Sequence, residues 1–435
     1  MKKSSSLLLI ILISGFITPA FCASVDKITS QLISEEIAKI ESEVIRTRRF
    51  LHINPELSNR EYQTSNLIAS KLIALGMDVQ TEVAKTGVVG LLRGAREGFT
   101  IAIRSDMDAL PIQERTGLSY QSLNKGVMHA CGHDIHMAVV LGTAMVLTSL
   151  KNKIKGNIKF IFQPAEEGPP AGEKGGASLM IEEGVLKDPP VGAIFGFHVW
   201  PPVETGTILF SPGSIMAGSD SFMIVIKGKS AHGALPHEGI DAIDLSAQII
   251  MNIRSVIDRS IDPTSPVVIS FGKISGGKRA NIIAEQVVMD GTVRTLDKVM
   301  QSRVKNLIED VIKGTTFPLG AAYEFKYING SPPVYNHPEL ARILFPSLSS
   351  SVGEENVKEL KPVMVAEDFS EYSQIIPGFY FFLGVKRPET KTSYPLHSPY
   401  FNPDEKSISL GIKIMCHLLL DCLQQQENFA DQFPK

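Results

Sequence analysis

Apolar residues recur at helical spacing over residues 26 to 52 and again from Tyr62 to Leu75, and each stretch predicts an amphipathic helix. Short apolar runs then alternate with helical patterns: VVGLLRG, TIAIRSDMDALP, a helix from about Ile135 to Leu150, IKFIFQPAEEG, a helix near Ala177 to Glu183, and AIFGFHVWP. Strands separated by helices predict an α/β fold whose mostly parallel sheet is covered on both faces. Ligands of such sheets bind beyond the carboxyl ends of the strands. Asp108, Glu166, Glu167 and His198 each directly follow a strand-like run, so this fold would gather them on one edge.

From about Gly213 the pattern changes. SFMIVIKGKSA alternates as a strand, Asp241 to Arg259 is an amphipathic helix, and PVVISFGKI and NIIAEQVVMDGTVRTL are strands. A second helix follows from Asp297 to Lys313, then the strand AAYEFKYING. Strand, helix, two strands, helix, strand is the ferredoxin-like α+β order, complete as a small domain. The chain then returns to its first pattern with the strand FYFFLGV and a helix from Ser407 to about Gln424. The expected division is a main domain of residues 26–213 plus 331–435, with residues 214–330 inserted as a lid.

The first residues belong to neither. Lys2 and Lys3, the apolar LLLIILISGFITP and the small residues around Ala20 to Ala23 read as a secretory signal peptide over residues 1–22, cleaved after Cys22. The apolar core is too short to span a bilayer. The expected location is therefore periplasmic or secreted. The full chain, 43% hydrophobic and 20% charged with a formal net charge of −3, has the composition of a soluble globular protein and no basic surplus for nucleic acid. Of the cysteines left after cleavage, Cys416 and Cys422 fall in the apolar C-terminal helical pattern and read as core thiols. Cys131 stands among histidines and reads as a metal ligand or a nucleophile.

Five short stretches hold the chemistry: DMDALP with Asp106 and Asp108, HACGHD with His129, Cys131, His133 and Asp134, QPAEEG with Glu166 and Glu167, FHVWP with His198, and LHSPYF with His397. Two acids abutting the buried run IKFIFQPA are costly unless a cation meets them. Imidazole, carboxylate and thiolate together suit Zn, Mn, Co or Ni better than Mg or Ca. A closed structural zinc site would use paired cysteines, which are absent. Cys131, His133, one glutamate, His198 and His397 exceed the needs of one tetrahedral ion, and two ions roughly 3.5 to 4 Å apart would use them all. The second glutamate is then free to take a proton, and Asp108 can orient a ligand. No GxSxG elbow occurs, and GKISGGKR reads as a hairpin turn rather than a phosphate loop, since an arginine stands where magnesium needs a hydroxyl. A papain-like role for Cys131 would leave the paired glutamates and His397 unexplained.

HACGHD, QPAEEG, FHVWP, SAHGALPH, GGKRANII, GTVRT, AEDFS and LHSPYF, in this order, resemble the M20 metallopeptidase family, subfamily D, over about residues 40 to 420. The resemblance implies that Cys131, His133, Glu167, His198 and His397 hold two divalent metal ions, that Glu166 is the general base, and that Asp108 supports a metal ligand. It leaves the metal open between Zn and Mn, with Co or Ni as further choices. Wider members of the clan carry a histidine where this chain has Asp106 and an aspartate near Cys131. The resemblance further implies a homodimer through the inserted domain, with His232 polarising the scissile carbonyl in the partner's site. Asn281 and Arg294 would hold the substrate carboxylate. Hinges near Gly213 and Gly330 would close the lid, and Phe369, Tyr372 and Phe401 are candidates for the pocket lining.

The function expected from these residues is metal-dependent amidohydrolysis of N-acyl amino acids, with metal-bound hydroxide as nucleophile. The alternative within enzymes is an exported dipeptidase or carboxypeptidase acting on short peptides. A metal-dependent receptor without catalysis would have no use for Glu166.

Overall fold

The computed structural model describes residues 25–426, so the segment 1–22, expected from its pattern to be a signal peptide, lies outside the described residues. The chain opens with α1 (Lys27–Ile53), whose first turn is capped by Asp26 accepting from the Thr29 amide at 2.7 Å. There follow α2 (Tyr62–Ala74), β1 (Asp78–Val83), β2 (Gly87–Arg93), β3 (Arg96–Asp106), α3 (His133–Ser149), β4 (Lys155–Gln163), α4 (Gly176–Glu182) and β5 (Val191–Glu204). Two short strands, β6 (Ile208–Phe210) and β7 (Gly213–Met216), lead into the insertion.

The insertion holds β8 (Gly218–Lys227), α5 (Ala242–Ser260), β9 (Val267–Gly276), β10 (Gln286–Thr295), α6 (Lys298–Thr316) and β11 (Ala322–Ile328). Its antiparallel sheet runs β11-β8-β10-β9, the ferredoxin-like arrangement expected from the pattern. Asp241 and Asp297 cap α5 and α6, and the two helices cover the sheet through a separate core that includes Ile224, Ile249, Met289 and Ile308. The chain returns through β12 (Val334–Asn336), α7 (Pro338–Val352), β13 (Val357–Glu359), α8 (Phe369–Ser373), β14 (Gly378–Lys386) and α9 (Lys406–Gln424).

The large sheet is ordered β1-β2-β4-β3-β5-β14-β6-β13. Its centre, β4-β3-β5-β14, is parallel. The flanks depart from that rule: β1 pairs β2, β2 pairs β4, and β6 pairs β14 in antiparallel sense. The three residues between β1 and β2 are too few for a crossover, so a reversal is the only outcome there. One face carries α1, α3, α7 and α9 over a core with Ile103, Phe160, Phe195 and Phe381; the other carries α4 and α8 over Ile161, Ile194 and Tyr380. α9 is apolar and long enough to cross a membrane, yet 78% of that stretch is buried, which makes it a core helix. Cys416 and Cys422 on it are buried free thiols, as expected. Phe369 and Tyr372 are fully buried in a core, whereas Phe401, 1% exposed, lines a cavity together with Tyr400 and Arg387.

Candidate metal centre

β3 ends at Asp106, β4 delivers the QPAEE turn, β5 carries His198, and α3 begins at His133, so the carboxyl ends of the parallel strands meet the start of one helix. The turn into α3 needs Gly132, which has φ +91°, and a Cβ there would stand 2.5 Å from Val199 Cγ2. Two non-glycine positions in the site also adopt left-handed backbone, Ala165 at φ +55° and His397 at φ +63°. Such strain persists only where the surroundings enforce it. At Ala165 the cause is visible: its amide donates to Glu61 Oε1 at 3.0 Å, and Glu61 in turn accepts from Thr86 Oγ1 at 2.6 Å.

The five expected ligands converge. Cys131, His133 and His198 bring one donor atom each within 4.8 Å of one another, and so do Cys131, Glu167 and His397. The two sets share the Cys131 thiol. His198 Nε2 lies 3.4 Å from Cys131 Sγ, and His397 Nε2 lies 3.2 Å from Glu167 Oε1. Both buried histidines are oriented from behind: His133 Nδ1 donates to the Asp108 carbonyl at 2.8 Å, and His198 Nδ1 donates to the Val199 carbonyl at 2.8 Å. That leaves each Nε2 facing the cluster, and His133 Nε2 has no hydrogen-bond partner although it is buried. Lone pairs of N, S and O turned toward one another in a dry site demand a positive charge.

The titration behaviour of the protein without metal states the same demand. Burial pulls the His133 imidazole down, but Asp106, Asp108 and Glu167 outweigh it and raise it to about 10, so a proton takes the cation's place. His198, desolvated and beside His136, is lowered to about 3 and stays neutral, the form that ligates metal. Burial and the charges of Glu167 and Glu166 push the Cys131 thiol well up. Burial, with Glu367 and Glu167 near by, likewise pushes the Glu166 carboxyl well above the ordinary range. The donor set therefore fits divalent cations.

Asp108 does more than expected. Its backbone carbonyl accepts from His133 Nδ1 at 2.8 Å, and its carboxylate Oδ1 lies 3.4 Å from the same nitrogen. The carboxylate accepts the Glu166 amide at 3.1 Å, the Glu167 amide at 3.0 Å and the Ser58 hydroxyl at 2.7 Å, and so fixes the turn that separates the two glutamates. His136, a histidine at ligand spacing from His133, is a strut: Nδ1 pairs with Asp106 Oδ1 at 2.7 Å, and Nε2 accepts the Val199 amide at 3.0 Å. His129 is buried and lowered by desolvation to about 4, outside the cluster.

The reading of the sequence missed the acids behind Glu166. Arg104 forks between Asp106 at 2.9 Å, Glu367 at 3.0 Å and Asp368 at 2.7 Å, and Tyr380 donates to Glu367 at 2.8 Å. Adjacent acids before an apolar residue in AEDFS were the available signal. The lid residues fall into two groups within one chain. His232 and Asn281 are neighbours, since the Gly233 amide donates to the Asn281 carbonyl at 2.9 Å. Arg294 is bonded to Ser219 beside the hinge, and from Gln286 to Arg294 the strand covers roughly 27 Å at about 3.4 Å per residue. Asn281 and Arg294 of one chain therefore cannot hold one carboxylate.

Known proteins resemble this chain over most of its length. The chain is 42% identical over 390 residues to the thermostable carboxypeptidase 2 of Saccharolobus solfataricus, covering 89% of this chain and 97% of that one. It is 41% identical over 311 residues to an N-acyl-L-amino acid amidohydrolase of Geobacillus stearothermophilus, covering 72% and 82%. A crystal structure from Bacillus subtilis, described as a dinuclear metal binding peptidase from the M20 family, superposes with TM-score 0.77 at 34% identity over 89% of this chain and 99% of that one. The model of the peptidase family M20/M25/M40 matches residues 102–421, and with these relatives it shows that the chain belongs to that family and is a hydrolase.

Proposed function

We propose that the protein hydrolyses the amide bond of N-acyl amino acids, with two divalent cations held by Cys131, His133, Glu167, His198 and His397. The observation that carries this reading is the pair of donor sets joined at Cys131, with the two buried imidazoles locked from behind. Bound there, the cations would polarise the scissile carbonyl and acidify a water. Glu166 shares the turn with Glu167 but lies 3.8 Å from His133 Nε2, close enough to reach a water in the cluster without being needed as a ligand. A carboxylate in that place can take a proton from water and hand it to the departing amine. Asp108 keeps the two glutamates in these separate roles. The Cys131 thiolate favours zinc; the carboxylate and imidazoles accept manganese equally.

The substrate class is supported by the relative that is named an N-acyl-L-amino acid amidohydrolase. A second reading, a carboxypeptidase acting on short peptides, is supported by the relative from Saccharolobus. Metal-stripped protein reloaded separately with Zn and Mn, assayed on N-acetyl and N-benzoyl amino acids and on dipeptides with free amino termini, separates them. Preference for dipeptides would reject the first reading.

Export is part of the proposal, on the pattern of residues 1–22. A mature product of full mass inside the cytoplasm would reject it. So is a homodimer through the lid, supported by β9, an edge strand that exposes Val268 and Ile274. His232, exposed on the lid, would then serve the partner's site. A monomeric mass in solution would reject the dimer.

A further inference from the structure

Among the proposed ligands His397 is the one that packing does not hold, because its side chain is 52% exposed. Its backbone is pinned instead. The His397 amide donates to the Ala130 carbonyl at 2.9 Å, and the Pro399 carbonyl accepts the Arg115 amide at 2.8 Å. Arg115 lies in a loop of residues 111–127 that has no strand or helix of its own, so something else must fix it.

One buried anchor is Glu114, 6% exposed, alongside the Leu123 amide, which donates to the Ile53 carbonyl, and the Asn124 side chain, which donates to the Pro55 carbonyl. The Glu114 carboxylate accepts the Ser122 amide at 2.7 Å, the Thr116 hydroxyl and, at 3.2 Å, His52 Nε2 from α1. The other nitrogen of His52 lies 2.7 Å from Asp134 Oδ2, in the first turn of α3 next to His133. Arg48 braces the same Asp134 oxygen at 2.8 Å, and Arg48 and Arg49 lie over the Tyr120 ring of the loop at 5.2 and 4.7 Å. An imidazole with a carboxylate at each nitrogen donates from both, so it behaves as a rigid cationic spacer. Buried ion pairs add little net stability but specify geometry well.

We infer that the His52 and Glu114 pair is a positioning device for the metal-binding side chain His397: it sets the distance between the helix that begins at His133 and the loop that presents His397. The inference rests on the metal-centre reading above. Neither residue touches the ligand cluster; both act through the Arg115 to Pro399 hydrogen bond and through Asp134.

The test is calorimetric titration of chelator-stripped full-length protein with Co(II), comparing the unmodified chain with Glu114→Gln, which keeps the shape of the side chain and removes its charge. The expected result is two ions bound by the unmodified protein. In the variant one ion binds as before and the other about 10- to 100-fold more weakly, while the thiolate absorption from Cys131 persists. Equal affinities for both ions in both proteins, even with a lowered melting temperature, would make the pair a purely structural brace and overturn the inference. If neither protein takes up cobalt, the metal centre itself fails and the brace falls with it. Hydrogen exchange on the unmodified protein gives a readout independent of folding of the variant: the Arg115 amide should gain protection when metal is added, and unchanged protection would count against the device.

Discussion

Asp108→Asn probes the turn on which the division of labour between Glu166 and Glu167 depends. The carboxylate is 1% exposed and receives two backbone amides and one hydroxyl, so solvent cannot replace any of them. Asparagine offers one acceptor oxygen, and its amide group must then face at least one N–H donor. A hydrogen bond to a charged group contributes about 1.5 to 3 kcal/mol, and an unsatisfied buried donor costs about the same again, so a loss of roughly 3 kcal/mol is expected. At about 2 to 4 °C per kcal/mol for a domain of this size, the melting temperature should fall by about 6 to 12 °C. The turn can relieve the clash only by moving Glu166 and Glu167, and a displacement of about 1 Å is worth about 100-fold in rate. Steady-state kinetics on an N-acyl amino acid, with metal content measured on the same sample, should show kcat/KM reduced about 100-fold. The control is Ser58→Ala, which leaves both amide contacts in place and should cost only about 1 kcal/mol. A variant within about threefold of the unmodified enzyme would refute the claim that the carboxylate positions this turn.

Glu166→Gln should retain bound metal by elemental analysis and lose turnover by about 100- to 10,000-fold, the range of general base catalysis; substantial retained activity would remove Glu166 from that role. His52 is lowered by burial and by Arg48, yet Asp134 and Glu114 raise it overall, so its contribution is full below about pH 6.5 and is lost as pH rises through the elevated value. Urea unfolding of metal-free protein should therefore show the advantage over His52→Asn shrinking from pH 6 toward pH 9, and an advantage that grows would contradict the sign. At the hinge, a Cβ on Gly330 would stand 1.8 Å from the Ser219 carbonyl oxygen, so Gly330→Ala must displace backbone. It should lose about 1 to 3 kcal/mol in thermal unfolding with metal content intact; an unchanged midpoint would mean the hinge yields freely.

The chemistry was legible because it depends on residue type. A thiol, imidazoles and paired carboxylates placed just after apolar strands name a metal site without coordinates, and the strand ends of β3, β4 and β5 bring them to one edge as the alternation implied. The starts of α1, α5 and α6 were legible from apolar periodicity, and Asp26, Asp241 and Asp297 cap them, whereas α7 (Pro338–Val352) was not read from the sequence. The antiparallel β6, three residues long, was not, because a strand that short has no period to read.

Sequence by itself thus determined the two-part α/β architecture and the residue types of the converging donors through local patterns, while the family resemblance supplied the choice between Glu166 and Glu167. Only the tertiary structure decided which ring nitrogen faces the cluster, that His136 spends both nitrogens as a strut while His133 keeps Nε2 for the cluster, that Asp108 serves its carbonyl to one neighbour and its carboxylate to others, and that Asn281 and Arg294 lie at opposite ends of the lid. Most of those outcomes depend on hydrogen bonds between segments 25 to 75 residues apart, and a short-range pattern carries no information about which partner a long-range donor will meet.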